Sequence, residues 1–167
     1  MRKMTEQNLE AAFAGESQAH MKYLAFAERA KQEGRANLAR LFSAAAYAEQ
    51  VHATNHLRVL GAIGESGANL EAARGGENFE ITEMYPAYLE VAQFQTEKQA
   101  EKTFHYALEA EKMHCDLYRK AEYAISQGKD REGDPIQVCG NCGYTLVGEA
   151  PEKCPICGVP KKQFRQF

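Results

Sequence analysis
Hydrophobic positions recur three and four residues apart over four long stretches of this chain, the period of helices that each turn one face toward a core. The first stretch runs from about Thr5, read as an N-cap, to Gly34, a stop just after Lys31; its stripe is Leu9, Ala12, Phe13, Glu16, Ala19, Tyr23 and Ala27. The second runs from about Ala36 to Leu60 and ends at Gly61 and Gly64, with Leu38, Leu41, Phe42, Ala45, Glu49, His52 and Val59 on its stripe. The third, from about Gly67 to Thr96, carries Leu70, Ala73, Glu77, Glu80, Met84 and Tyr88, and Pro86 inside it is expected to kink it or interrupt its ladder. The fourth, from about Glu97 to Gln127, carries Phe104, Ala107, Glu111, His114, Tyr118, Ala121 and Ile125. The fold class this predicts is mainly α, a four-helix bundle.

Every one of these stripes holds an acid where a core residue belongs. Ala48-Glu49-Gln50-Val51-His52 and Ala110-Glu111-Lys112-Met113-His114 each place a Glu and a His three residues apart, on one helix face and one turn from each other. The two Glu-x-x-His copies lie 62 residues apart, and Asn69-Leu70-Glu71-Ala72-Ala73-Arg74-Gly75-Gly76-Glu77 repeats Asn8-Leu9-Glu10-Ala11-Ala12-Phe13-Ala14-Gly15-Glu16 at an offset of 61. The helical part is therefore read as a duplicated hairpin. The duplication is not perfect: the second copy carries Glu80 where the first has Ala19. Gly15, a mid-helix glycine, is read as a point of close helix approach.

An ionised carboxylate on a core-facing stripe is expensive unless something compensates it. The candidates are Glu16, Glu49, His52, Glu77, Glu80, Glu111 and His114: a Glu from each of two helices and Glu-x-x-His from each of the other two, the pattern of ferritin-like dinuclear carboxylate bundles. Five carboxylates against two divalent ions leave the cluster near neutrality. Oxygen donors with one imidazole per metal suit iron or manganese better than structural zinc. Glu83 falls just off its stripe and reads as either an exposed acid or a helper of the ligands. His20 and His56 sit at stripe edges as structural or exposed groups, and His105 has no motif around it. Tyr23 and Tyr85 lie one to two turns from Glu16 and Glu80; each is either a core ring or a hydrogen-bond partner of a ligand carboxylate. Cys115 reads as a buried thiol.

Length and cysteines add a second site. The chain has 167 residues, enough for one core and a small appendage, with 44% hydrophobic residues and a net charge of −3, which provides no basic field for nucleic acid or anionic lipid. No export signal and no membrane span are read, so a cytoplasmic location is expected. Residues 129–135 are polar and bear Gly133 and Pro135, giving an expected division into a helical domain 1–128, a linker 129–135 and a tail domain 136–167. The tail is too short for a core without a staple. It supplies Cys139, Cys142, Cys154 and Cys157, two Cys-x-x-Cys knuckles with eleven residues between them, each followed by a glycine. This spacing points to tetrahedral thiolate coordination of iron or zinc, which the spacing does not separate; a disulfide pair is the bland alternative.

These residues resemble the rubrerythrin family over essentially the whole chain. The resemblance rests on Ala14-Gly15-Glu16, the two Glu-x-x-His pairs, Gly76-Glu77-Asn78-Phe79-Glu80-Ile81-Thr82-Glu83-Met84-Tyr85-Pro86, and the Cys-x-x-Cys-Gly-Tyr…Cys-Pro-x-Cys-Gly tail. It implies a ferritin-like di-iron bundle joined to a shortened rubredoxin-like domain, with two irons in the bundle and one on the cysteines. Glu49 and Glu111 would bridge the irons, Glu16 and Glu77 would be terminal, and His114 would hold one iron. The other iron would exchange between Glu80 and His52 as its charge changes, with Tyr23 and Tyr85 hydrogen-bonded around the cluster. The connection from Gly61 to Ala68 is shorter than in some members, which bears on how helices are shared between subunits.

The expected function is a hydrogen peroxide reductase. A two-metal site holds the two electrons that peroxide needs, and a one-electron thiolate site refills it. An electron-donor reductase or a rubredoxin would feed the tail, and a homodimer or larger homo-oligomer would bring the sites together. The alternatives are an iron-oxidising or iron-handling protein, and a zinc ribbon that recruits a partner through the tail.

Overall fold
A computed structural model describes residues 1–167. Its helices are α1 (Lys3–Gln32), α2 (Ala36–Val59), α3 (Ser66–Phe79), α4 (Tyr85–Phe94) and α5 (Lys98–Ser126), and its strands are β1 (Ile136–Cys139), β2 (Thr145–Val147) and β3 (Phe164–Gln166). The mainly α expectation is met, with strands confined to the tail. The chain divides into two compact units, Met1–Gly64 and Glu65–Phe167. No helix is long and apolar enough to cross a membrane.

The first unit is a hairpin of α1 and α2. Helix α1 begins three residues earlier than predicted: its N-cap is Arg2 rather than Thr5, makes no side-chain capping bond, and leaves Thr5 inside the first turn. Its C-terminus does stop at Gly34, which takes φ 74° while its N–H bonds Lys31 O and the N–H of Arg35 bonds Ala30 O. These two bonds satisfy carbonyls the helix leaves open, and only a residue comfortable at positive φ allows them. The same pair of bonds closes α2 at Gly61 and α5 at Gly128.

Where the two helices meet, the enclosed residues are alanines: Ala27 and Ala30 of α1, and Ala39, Ala46 and Ala53 of α2. Small side chains let two helices approach closely, and His20 Nδ1 bridges to Ala46 O at 2.8 Å. The α2 stripe is corrected in part. Phe42, Ala45 and Glu49 are half-buried, but Leu38, Leu41, His52 and Val59 are exposed, Leu41 by 64%. One neighbouring helix covers only part of a stripe wide enough for two. The close approach expected at Gly15 is not made: a Cβ there would meet nothing within 4 Å.

In the second unit α3 and α4 form one rod along α5, interrupted where Pro86 predicted trouble. Residues Glu80–Met84 form a π-helical turn, and Pro86 sits in the first turn of α4. A proline has no N–H for the ladder and its ring crowds the carbonyl four residues back. One wider turn before it absorbs both problems, and such turns gather at functional sites. The rod ends with the bonding pattern of the other helices, Thr96 N–H to Gln93 O and Glu97 N–H to Ala92 O, but here the residue at positive φ is Thr96, at 60°. The tail is a three-stranded antiparallel sheet in the order β2-β1-β3, with Val138 opposite both Thr145 and Arg165.

A β-branched residue in the left-handed region costs about 1–2 kcal/mol that glycine does not. Thr96 is exposed, so little packing is at stake. Thr96→Gly is expected to raise the unfolding free energy by about 1 kcal/mol in urea titrations, part of the gain being lost to the entropy of the unfolded glycine.

Candidate metal centres
Glu77 on α3 and Glu111 and His114 on α5 offer one ligand atom each, all within 4.8 Å of one another. His114 Nδ1 lies 2.6 Å from Glu111 Oε2 and 3.6 Å from Glu77 Oε1. The three groups set each other's charge. The hydrogen bond to Glu111 raises His114 above the ordinary imidazole range, and the same bond holds Glu111 below the ordinary carboxylate range. Glu77 is pushed up to about 7, first by burial and then by the adjacent Glu111 charge. Glu80 lies outside this triad, yet it too is raised, by burial and then by Glu111.

Unit 1 holds the matching triad of Glu16, Glu49 and His52, also with ligand atoms within 4.8 Å. His52 Nδ1 is 2.9 Å from Glu49 Oε2 and 4.0 Å from Glu16 Oε1. Six of the seven predicted donors are thus gathered as two sets of three, one in each unit, with Glu80 outside both. The triads differ in cover: the His52 side chain is 54% exposed and that of His114 29%.

Tyr85 is raised by burial and then by the charges of Glu80, Glu111 and Glu77, which places it beside the second triad. Tyr23 packs its ring against Phe26 and Phe42, with centroids 6.2 and 6.3 Å away. Glu83 is exposed. Tyr118 was read only as a stripe position. Burial and then Glu77 and Glu111 raise its hydroxyl, so it belongs with Tyr85 at this site. Its place one turn beyond His114 was the available signal.

The four cysteines of the tail also lie with their sulfurs within 4.8 Å, Cys139 Sγ 3.6 Å from Cys157 Sγ and Cys142 Sγ 3.5 Å from Cys154 Sγ. The two knuckles have the same geometry. Gly143 N–H bonds Cys139 O and Gly158 N–H bonds Cys154 O, each at 2.9 Å, with φ of 79° and 76°. Burial raises the thiols of Cys139 and Cys142. It acts on Cys157 in the same sense, but the Val159 N–H, the Asn141 side chain and the neighbouring thiols outweigh it and bring that thiol down to about 6. Asn141, inside the first knuckle, was not singled out from the sequence. Free thiols, donors aimed at sulfur and no disulfide fit a thiolate-bound metal. The carboxylate triads fit a cation equally well, because one carboxyl at about 7 beside an ionised one is the mark of a charge excess that a divalent ion relieves.

A helical protein with paired carboxylate–histidine donors and a separate four-cysteine sheet is a di-iron carboxylate protein carrying a rubredoxin-like domain. Comparison with known proteins agrees. Residues 7–122 match the Rubrerythrin family and residues 137–165 match the rubredoxin-like domain of rubrerythrin. The chain belongs to the rubrerythrin family. It is 45% identical to Rubrerythrin-2 of Clostridium acetobutylicum, over 98% of this chain and 97% of that one. It is 36% identical to nigerythrin of Nitratidesulfovibrio vulgaris, over 98% and 86%. Among solved structures it is similar to nigerythrin in its fully reduced, all-ferrous state, with a TM-score of 0.58, 35% identity and coverage of 98% and 86%. The family binds iron, and this chain carries the carboxylate and histidine groups of a di-iron site and the four cysteines of the rubredoxin-like site.

A pH dependence follows for metal uptake. Below about 7 Glu77 holds a proton in the metal-free protein, and the bond to Glu111 favours the protonated form of His114 as well. Coordination needs both groups unprotonated, so binding expels protons and affinity falls as pH drops, by about tenfold per unit for each proton displaced. Anaerobic ferrous titrations at pH 6 and pH 8 (about one unit on either side of the Glu77 value) are expected to show weaker uptake and measurable proton release at the lower pH. Equal affinity at both would contradict the protonated state of Glu77.

Proposed function
We propose that the protein reduces hydrogen peroxide to water, with electrons relayed one at a time through the four-cysteine iron. What carries this reading is the presence, within one compact unit, of a carboxylate–histidine triad and a thiolate cluster held against the same helix, α5: the His114 ring reaches Thr145 of β2 at 2.9 Å. Two such different donor sets in contact suit electron transfer better than storage. The reaction consumes one peroxide, two electrons and two protons and yields two waters. The irons, when bound, supply the electrons.

In this proposal Glu16, Glu49, His52, Glu77, Glu80, Glu111 and His114 are the iron ligands of the helical domain, and Cys139, Cys142, Cys154 and Cys157 hold a further iron. Zinc can take the place of iron on the cysteines. Glu80 is the ligand that moves. Its placement on the π-helical turn and outside the Glu77 triad supports that role, because a wider turn constrains its side chain less than a regular helix does. His52, exposed and bonded only through Nδ1, is the matching exchangeable group. Tyr85 holds a hydroxyl near the carboxylates, where it donates a hydrogen bond and hands on protons; Tyr23, among phenylalanines, is assigned the equivalent place in the first unit. The helical domain spans 1–128, the linker 129–135 and the rubredoxin-like domain 136–167.

We further propose that the chain works as a homo-oligomer fed by a reductase or a rubredoxin. Apolar residues left open, Leu41 at 64% and Phe94 at 90%, support a covered surface in the working assembly.

Two measurements test the reading. Reduced protein is mixed anaerobically with limiting hydrogen peroxide while the visible thiolate-to-iron band is followed. The band is expected to appear in step with peroxide consumed. A colourless protein with one zinc and little iron per chain would move iron oxidation, or a zinc-ribbon role for the tail, ahead of peroxide reduction. Second, Glu80→Ala is expected to retain its iron while slowing peroxide turnover more than iron uptake. Unchanged peroxide kinetics would remove Glu80 from the mechanism.

A further inference from the structure
The contact between the tail and α5 is more specific than packing. Thr145 is 5% exposed at the start of β2, and its hydroxyl donates to Gly143 O at 2.9 Å. With its one hydrogen so committed, the oxygen can only accept from His114 Nε2, 2.9 Å away. Nε2 therefore carries a hydrogen, and Nδ1, which faces Glu111 and Glu77, donates to Glu111 when it is protonated and is the nitrogen left for a metal when it is not. Gly143 is itself pinned: its N–H bonds Cys139 O, and a Cβ at this position would lie 3.6 Å from Ala110 Cβ on α5, one turn before His114. His52 has no such partner on Nε2, although it holds the corresponding place in the repeat.

We propose that Thr145 is a positioning residue for His114, through which the four-cysteine knuckle fixes the tautomer and ring orientation of a ligand in the carboxylate centre. A metal-bound histidine is oriented by what its other nitrogen donates to, and losing that partner costs about 10- to 100-fold in metal affinity or activity. Here the partner belongs to the other metal site. The knuckle backbone from Cys142 to Gly143 and the two hydrogen bonds through Thr145 also form a continuous route from a cysteine to the ligand ring. The inference rests on His114 being a ligand, and not on peroxide being the substrate.

The test uses the full chain with its four-cysteine site already filled, and zinc(II) as the probe of the carboxylate centre. In the wild type, 15N spectra of the histidines are expected to show His114 ligated through Nδ1, with an Nε2–H protected from exchange. Thr145→Val, which keeps the shape and removes the hydroxyl, is expected to lose that protection and weaken zinc binding at this centre about 10-fold or more. Thr145→Ser should restore both. Should valine disturb the tail, seen as a changed absorption band of the cysteine site, Thr145→Ala removes the hydroxyl without strain and is read the same way. Protection and affinity unchanged in the variants lacking the hydroxyl would overturn the role of Thr145. A wild-type His114 that does not respond to zinc at all would instead overturn its reading as a ligand.

Discussion
The structure depends on carboxylates held close together on half-buried helix faces. In water, Glu77 and Glu111 would both be ionised near neutrality; beside each other and half-buried they are not. One sits low because it accepts from His114, and the other is pushed up to about 7. Removing Glu111 would relieve it only by leaving His114 without its partner at 2.6 Å. A divalent cation relieves it without any such loss. The donor set therefore suits a cation better than it suits a protein core.

The way the helices are built follows from that demand. Both hairpins need long straight faces, so the long helices run 24 to 30 residues and end in tight turns rather than fraying. In the first hairpin the enclosed contacts are alanines, which bring the donor-bearing helices near each other but bury little apolar area. Larger apolar side chains are left at the flanks. The tail solves the opposite problem. It is too small to hold itself by packing, so its cysteines form its centre, with Tyr106 of α5 and Phe164 of β3 against them.

Much of this was legible in the chain, because the relevant signals are local. A Glu and a His three residues apart on a helix are neighbours whatever else the fold does, and both pairs stand within hydrogen-bond reach. Gly34, Gly61 and Gly128 mark helix ends through a backbone conformation that belongs to glycine. Pro86 announced a break, but not that a π-helical turn would take it up or that Glu80 would stand on that turn. What the stripe pattern missed depends on which helices are neighbours. Periodicity assigns Leu38, Leu41 and Val59 to a buried face; a hairpin covers only one flank of it. The bond from Thr145 to His114 joins residues 31 apart through the docking of a sheet on a helix, and no spacing rule reaches that far.

The duplication makes the remaining asymmetry informative. Two hairpins of common pattern would present equivalent triads, yet the second has three things the first lacks. It has Glu80, where the first has Ala19; a π-helical turn to carry that acid; and a small domain docked on the outer side of its histidine. All three changes fall on one copy. The result is one histidine held by both ring nitrogens and one, His52, held by a single nitrogen and open to solvent. The two histidines are therefore not equivalent as donors: the bond from Nε2 to Thr145 restrains the His114 ring, and His52 carries no such restraint.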